Sequence, residues 1–138
     1  MSYDIIKNGI VGLLNGIKFQ ESSAATIAEV PSQEMGNVFL LTARSGENNE
    51  RSSETLSDRF YDNQIWEIQV PFSKNQQSHQ VQSDEINRAR DLIIKTVDNP
   101  ANWEGYVRIQ KFLDWSLTEE KNYFLLTVRL KVVDTIIY

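Results

Sequence analysis

Hydrophobic residues near the start of the chain recur at helical spacing. The apolar stripe consists of Ile6, Ile10, Leu13 and Ile17. This spacing predicts a helix over Tyr3–Asn15 that stops near Gly16. Gly9, Gly12 and Gly16 lie beside the stripe, which would let another element approach this helix closely. A weak helix that merely tolerates these glycines is an equally good interpretation.

A second helical stripe lies in the middle of the chain, at Ile86, Ala89, Ile93 and Val97. The residues before it, Ser83-Asp84-Glu85, are typical of a helix start because a serine caps free N–H groups and carboxylates favour the positive end of the helix dipole. Asn99-Pro100 ends the pattern. The sequence therefore predicts a helix over Asp84–Val97.

Alternation of apolar and polar residues predicts a strand over Phe60–Phe72. Its apolar face consists of Trp66, Ile68, Val70 and Phe72. The short apolar run Val38–Thr42 is expected to pair with it as a wide hairpin, whose tip is a mobile polar loop at residues 43–58. A short strand is also expected at Thr26–Val30.

The closing segment predicts two long antiparallel strands, Tyr106–Leu117 and Tyr123–Tyr138. Two rows of alternate residues are expected on one face: Val107, Ile109, Leu113, Trp115 and Leu117, opposite Phe124, Leu126, Val128, Leu130 and Val132. The last four residues are too apolar to remain in water, so they should pair within the monomer or with a neighbour. We expect this strand to leave an apolar edge of the sheet.

This order of elements predicts an α+β fold, an antiparallel sheet of about four or more strands with two helices packed on one face. A chain of 138 residues suits a single domain over 1–138.

The charge and composition narrow the functional classes. The 14 basic residues are scattered and are outnumbered by 19 acidic residues, for a net charge of −5, which argues against tight nucleic-acid binding. Cysteine is absent, which excludes disulfides and thiolate chemistry. No apolar run approaches the roughly 20 residues of a membrane span, and the start of the chain does not resemble a signal peptide. Synthesis in the cytoplasm is the default expectation.

Catalytic groups are sparse in the sequence. The single histidine, His79, lies in a Gln-rich loop without nearby ligands, so a solvated histidine is favoured over a metal or nucleophilic site. The carboxylate pairs Asp58 with Asp62, Asp84 with Glu85, and Glu119 with Glu120 each suit a turn, a cap or a strand start. No phosphate-loop, dinucleotide-binding or hydrolase motif is present. We therefore expect no enzyme activity, catalytic residue, cofactor or metal.

The three tryptophans offer either core packing or surfaces for contact. Trp66 and Trp115 fall on the expected inward faces of strands, where core packing is the commoner role. Trp103 lies in a turn, where it would be available to an interface.

The polar loop is the other candidate contact region, because it alternates acidic and basic residues. It is expected to be solvated in the monomer and to become ordered against another subunit. The predicted assembly interface consists of Arg44, Glu47, Glu50, Arg51, Glu54, Trp103 and Tyr138.

The whole pattern resembles the tail terminator, or tail-completion, proteins of tailed bacteriophages. The resemblance rests on the helix Tyr3–Asn15, the strand Tyr61–Val70, the helix Asp84–Val97 and the closing hairpin that contains Leu125–Val132. It covers nearly the whole chain through the order of its elements rather than through a signature motif.

The resemblance implies a structural virion protein without an active site. Subunits of this family form a six-membered ring that caps the tail tube, stops its polymerisation and offers a surface to neck, connector or stopper proteins. Genomic DNA would pass through the lumen of the ring without specific binding, with which a net charge of −5 is compatible. The loop at 43–58 would contact the tube or a neighbouring subunit.

The residues alone leave other functions open. Another neck, stopper or baseplate subunit would share this size and pattern. A small ligand-binding or hydrolytic α+β domain would require a pocket with convergent polar groups.

Overall fold

The computed structural model describes residues 2–44, 50–51, 59–74, 79–103 and 109–137, and these residues include six strands and two α-helices. The helices are α1 (Ser2–Gly16) and α2 (His79–Val97). The strands are β1 (Gln20–Glu21), β2 (Val38–Arg44), β3 (Glu50–Arg51), β4 (Arg59–Ser73), β5 (Ile109–Glu119) and β6 (Tyr123–Ile137). Short 3-10 helices occupy Ile27–Glu29, Ser32–Glu34 and Pro100–Trp103.

The sheet has the order β1-β2-β4-β6-β5, and β3 pairs with β4 beside β2. The β1–β2 pair is parallel, and the other pairs are antiparallel. All fifteen residues of β4 pair with β6, from Arg59 opposite Ile137 to Ser73 opposite Tyr123. The two longest strands therefore form the centre of the sheet.

Both helices pack on one face of this sheet, which confirms the predicted α+β class. Alternate residues of the central strands are fully buried against them, among them Trp66, Ile68, Leu126, Val128 and Leu130. The helices contribute two stripes to the same core: Ile6, Ile10 and Leu14 from α1, and Ile86, Ile93 and Val97 from α2. The strand pattern and the α2 stripe thus behave as the sequence predicts.

The first helix ends differently from the prediction. Lys18, not Gly16, takes the left-handed conformation that terminates it, with φ of 77°. The Phe19 N–H donates to the Leu14 carbonyl over 2.9 Å, and the Lys18 N–H donates to the Asn15 carbonyl over 3.1 Å, which together form a Schellman motif. Gly12 and Gly16 face open space, so the expected close approach does not occur at these two glycines.

The second helix begins at His79, so Ser83 lies inside it and the predicted serine cap is wrong. Hydrophobic periodicity locates the buried stripe of a helix but not its first turn, which here is polar. The C-terminal end of α2 is capped by side chains from the following 3-10 helix. The Trp103 Nε1–H donates to the Val97 carbonyl over 2.9 Å, and the Asn102 amide donates to the Thr96 carbonyl over 2.8 Å, satisfying carbonyls that a helix end leaves without partners.

Three further predictions need correction. Thr26–Val30 contains a 3-10 helix rather than a strand. Part of the expected loop is ordered: Glu50–Arg51 form β3, which pairs with Phe60 and Tyr61, whereas residues 45–49 and 52–58 lie outside the described residues. The closing strand β6 pairs with β4 and lies between β4 and β5, so the apolar edge belongs to β5 instead.

A β-bulge at Leu113 changes the faces of β5. Phe112 pairs with Leu130 and Asp114 pairs with Arg129, so Leu113 has no opposite residue. The extra residue shifts the alternation. Trp115 and Leu117 therefore share the helix-covered face with Phe112, and the prediction that Leu113 belongs to that row is wrong.

Candidate assembly surface

Among the described side chains of the sheet, three large apolar ones on the edge strand β5 are more than a third exposed. Trp115 and Leu117, on the helix-covered face, are 43% and 44% exposed, and Leu113, at the bulge, is 38% exposed. Trp115 pairs with Val128 and Leu117 with Leu126, and both partners are fully buried. The same face of the sheet is thus buried at its centre and half open at this edge.

Helix α2 covers the helix-covered face of β5 only in part. The Arg90 guanidinium lies 4.5 Å from the centre of the Trp115 ring, a cation–π contact that holds the indole in place. Beyond Leu117 a small apolar notch of about 80 Å³ separates the strand from α2, with Ile86 and Phe124 among its walls. A cavity of this size is too small for a typical ligand, since such pockets measure about 300–1,000 Å³.

The start of β5 is tied to the end of α2. The Asp98 carboxylate accepts a hydrogen bond from the Phe112 N–H over 3.1 Å. This contact occupies a strand N–H that a further strand would need. The stretch of β5 available for pairing therefore begins after the bulge, at Asp114.

The opposite face of the sheet carries no helix in the described part of the chain. It has a row of charges across three strands. Glu67, Arg129 and Asp114 are direct cross-strand neighbours. Arg129 Nε lies 3.2 Å from Glu67 Oε2, and Arg129 Nη1 lies 3.2 Å from Asp114 Oδ1. The bulge at Leu113 brings Asp114 opposite the arginine, so the two carboxylates share one cation.

The next row on this face contains two like charges. Lys111 of β5 and Lys131 of β6 are direct partners across the strands. Lysines in this arrangement repel each other.

Three of the sequence-predicted interface residues lie on strands that pair with β4. Arg44 is the last residue of β2 and pairs with Ile65, and Glu50 and Arg51 form β3. Glu47, Glu54 and Tyr138 lie outside the described residues, so these assignments stay predictions.

Trp103 requires a correction. Its side chain is 1% exposed and belongs to the main core. The turn in which it lies folds back onto the end of α2, so its indole is enclosed within the monomer and is not available to an interface.

Sequence reasoning missed the residues that form the exposed edge. Trp115 and Leu117 follow the same alternating pattern as the residues of the buried central strands. Alternation shows which residues share a face of the sheet, but it does not show how far that face is buried. The charged residues of β5 could have indicated an edge strand. They are Lys111, Asp114 and Glu119, and charged residues are typical of edge strands.

A second surface feature is an open groove of about 580 Å³ beside β1. Its walls are mostly polar, with Lys18, Glu21, Ser22, Glu34 and Asn37 among them. Glu21 lies 4.0 Å from the Lys7 ammonium. The groove could hold a small polar molecule by its volume, but its polar groups line an open surface.

No helix within the described residues is both long and apolar enough to cross a membrane. In the same part of the chain, no three His, Asp or Glu side chains are grouped so as to hold a metal ion.

Comparison of the chain with protein-family models found no match, and comparison with curated proteins found none either.

Proposed function

We propose that this protein is a structural virion subunit that assembles into a ring at the end of a bacteriophage tail tube. The ring stops polymerisation of the tube and offers an attachment surface to the neck. Its partners are further copies of the same chain, the tail tube protein and a neck, connector or stopper protein. No catalytic step is part of this function.

The observation that carries the proposal is the exposed apolar edge on β5. Trp115 and Leu117 occupy alternate positions on the helix-covered face of this strand, and both are more than a third exposed, as is Leu113 at the bulge. Apolar rows of this kind on a sheet edge favour association, because a partner buries the side chains and pairs with the strand. The edge therefore favours a role in assembly over a function as a monomer.

The choice of a tail terminator rests on the resemblance in element order. A helix, a wide hairpin, a second helix and a long closing hairpin follow one another in this chain. The net charge of −5 suits a lumen through which DNA slides, since an acidic wall does not retain phosphates.

A small ligand-binding domain is the second candidate. The open groove beside β1 favours it, because its volume of about 580 Å³ lies within the range of ligand pockets. Its open, polar walls count against tight binding, since such pockets bury most of their ligand.

The experiment that separates the two is the solution mass of the purified protein over a concentration series, followed by electron microscopy. The ring function predicts a discrete oligomer with a central opening. A neck or baseplate subunit would instead require its partner for assembly. A monomer without rings at every concentration contradicts autonomous ring formation and favours the groove as the functional site.

A further inference from the structure

The sheet has two open edges in the described part of the chain, one at each end. On β5 the open stretch runs from Asp114 to Thr118, because Asp98 occupies the Phe112 N–H. On β2 it runs from Leu40 to Arg44, since β1 pairs only with Val38 and Phe39. The two stretches have the same length of five residues.

The directions of the strands make these edges complementary. From β2 through β4 and β6 to β5, each neighbouring pair is antiparallel. Three successive reversals leave β2 and β5 pointing in opposite directions. A second copy placed with its β2 beside β5, and with its helices on the same side, would therefore continue the antiparallel alternation across the junction.

The side chains on the two edges are also complementary. On the helix-covered face, Trp115 and Leu117 are 43% and 44% exposed. On the same face of β2, Leu41 and Ala43 pair with Ile68 and Trp66 and are only partly buried. Each edge thus has two apolar side chains that the monomer covers incompletely, which an added strand would bury.

One register matches both pairs. It sets Leu41 opposite Leu117 and Ala43 opposite Trp115, so a small side chain meets the large indole. The same register brings Arg44 opposite Asp114, which has the opposite charge. A shift of two residues in either direction loses one of the apolar pairs and the charge match.

We propose that β5 of one copy pairs with β2 of a second copy in this register, with Thr42 opposite Ser116. The contact is heterologous, because it joins two different surfaces of the chain, and heterologous contacts that close generate rings. The twist between neighbouring strands curves a sheet that is extended in this way. The inference deepens the proposed function by naming the subunit contact, and it rests on ring assembly.

Cysteine cross-linking tests the register directly, because the chain has no cysteine of its own. Thr42 and Ser116 both lie on the face of the sheet that carries no helix. In the proposed register their Cα atoms would be about 4.5–5.5 Å apart, within the range of a disulfide. The double variant Thr42→Cys/Ser116→Cys should give a ladder of disulfide-linked oligomers on a denaturing gel without reductant.

The single variants are the matched controls. Thr42→Cys alone and Ser116→Cys alone should stay uncross-linked, because each contact needs one cysteine of each kind. A dimer of Ser116→Cys alone would show β5 paired with β5 and would overturn the proposal.

A second pair of variants probes the same contact without cysteine. Leu117→Lys places a charge in the junction and should convert the oligomer to monomer. Ile5→Lys, at an α1 side chain that is 51% exposed, adds the same charge elsewhere and should leave the oligomer intact. Both sites are exposed, so both variants should fold, which circular dichroism would verify.

The outcomes distinguish this contact from the wider function. Cross-linking together with loss of the oligomer in Leu117→Lys supports the proposal. A ring that forms without cross-linking and survives Leu117→Lys overturns the β5–β2 contact and leaves the ring function standing. A protein that stays monomeric and uncross-linked up to its solubility limit contradicts both.

Discussion

The centre of the sheet and its β5 edge are built from the same alternating pattern and reach different degrees of burial. Trp66 on β4 is fully buried, whereas Trp115 on β5 is 43% exposed. Both residues face the helices. The difference arises because β4 has strands on both sides and shares its core with both helices, whereas β5, within the described residues, has one strand neighbour and is covered in part by α2.

This contrast shows that one pattern can serve two purposes. At the centre it stabilises the monomer, because each apolar side chain leaves water on folding. At the edge it leaves apolar surface that only a partner can cover. Substitutions at matched positions should therefore separate stability from assembly.

The largest expected difference lies between two leucines on the helix-covered face. Leu130→Ala should lower the free energy of unfolding by about 2–5 kcal/mol, since Leu130 is fully buried and a cavity would remain. Leu117→Ala should lower it by less than about 1 kcal/mol, because the side chain is 44% exposed. Urea denaturation of dilute protein measures both, and equal losses would contradict the distinction between centre and edge.

A smaller difference is expected between two tryptophans changed to phenylalanine. Trp103→Phe removes the hydrogen bond from Nε1 to the Val97 carbonyl and should lower the free energy of unfolding by about 1–3 kcal/mol. Trp115→Phe keeps a ring beneath Arg90 and should change it by less than about 0.5 kcal/mol. Thermal unfolding of the two variants measures both losses of stability. A larger loss for Trp115→Phe than for Trp103→Phe would contradict the distinction between centre and edge.

The smallest effects are expected among charges on the face that carries no helix. Arg129→Gln should lower the free energy of unfolding by about 1 kcal/mol at low salt, because it removes the cation between Glu67 and Asp114. Lys131→Gln should raise it by roughly 0.2–0.5 kcal/mol, since it relieves repulsion from Lys111. Denaturation at low and high salt checks both, as salt should shrink each difference. The same sign for both variants would argue against this account.

The extent of the sequence-based prediction differs between elements. The α2 stripe, the inner face of β4 and the inner face of β6 are where periodicity predicts them. The ends of the helices were less well predicted, because Lys18 terminates α1 in a conformation usually taken by glycine. The faces of β5 were wrong before Leu113 and right after it, since no pattern announces a bulge of one residue.

The candidate surface was predicted least well. The sequence indicated assembly through charged loop residues and Trp103, whereas the structure encloses Trp103 and exposes Trp115 and Leu117. Trp103, expected at an interface, is buried, and Trp115, expected in the core, is exposed. The reason is that exposure depends on what packs above a residue, which local spacing does not contain.

The sequence by itself determined the α+β class, the helical stripes and the alternating faces of the long strands, because these follow from the periods of 3.6 and 2 residues. Only the tertiary structure decided that β6 is central and β5 is an edge. Strand order is set by contacts between residues far apart in the chain, and those contacts leave Leu41 and Ala43 at one open edge and Trp115 and Leu117 at the other.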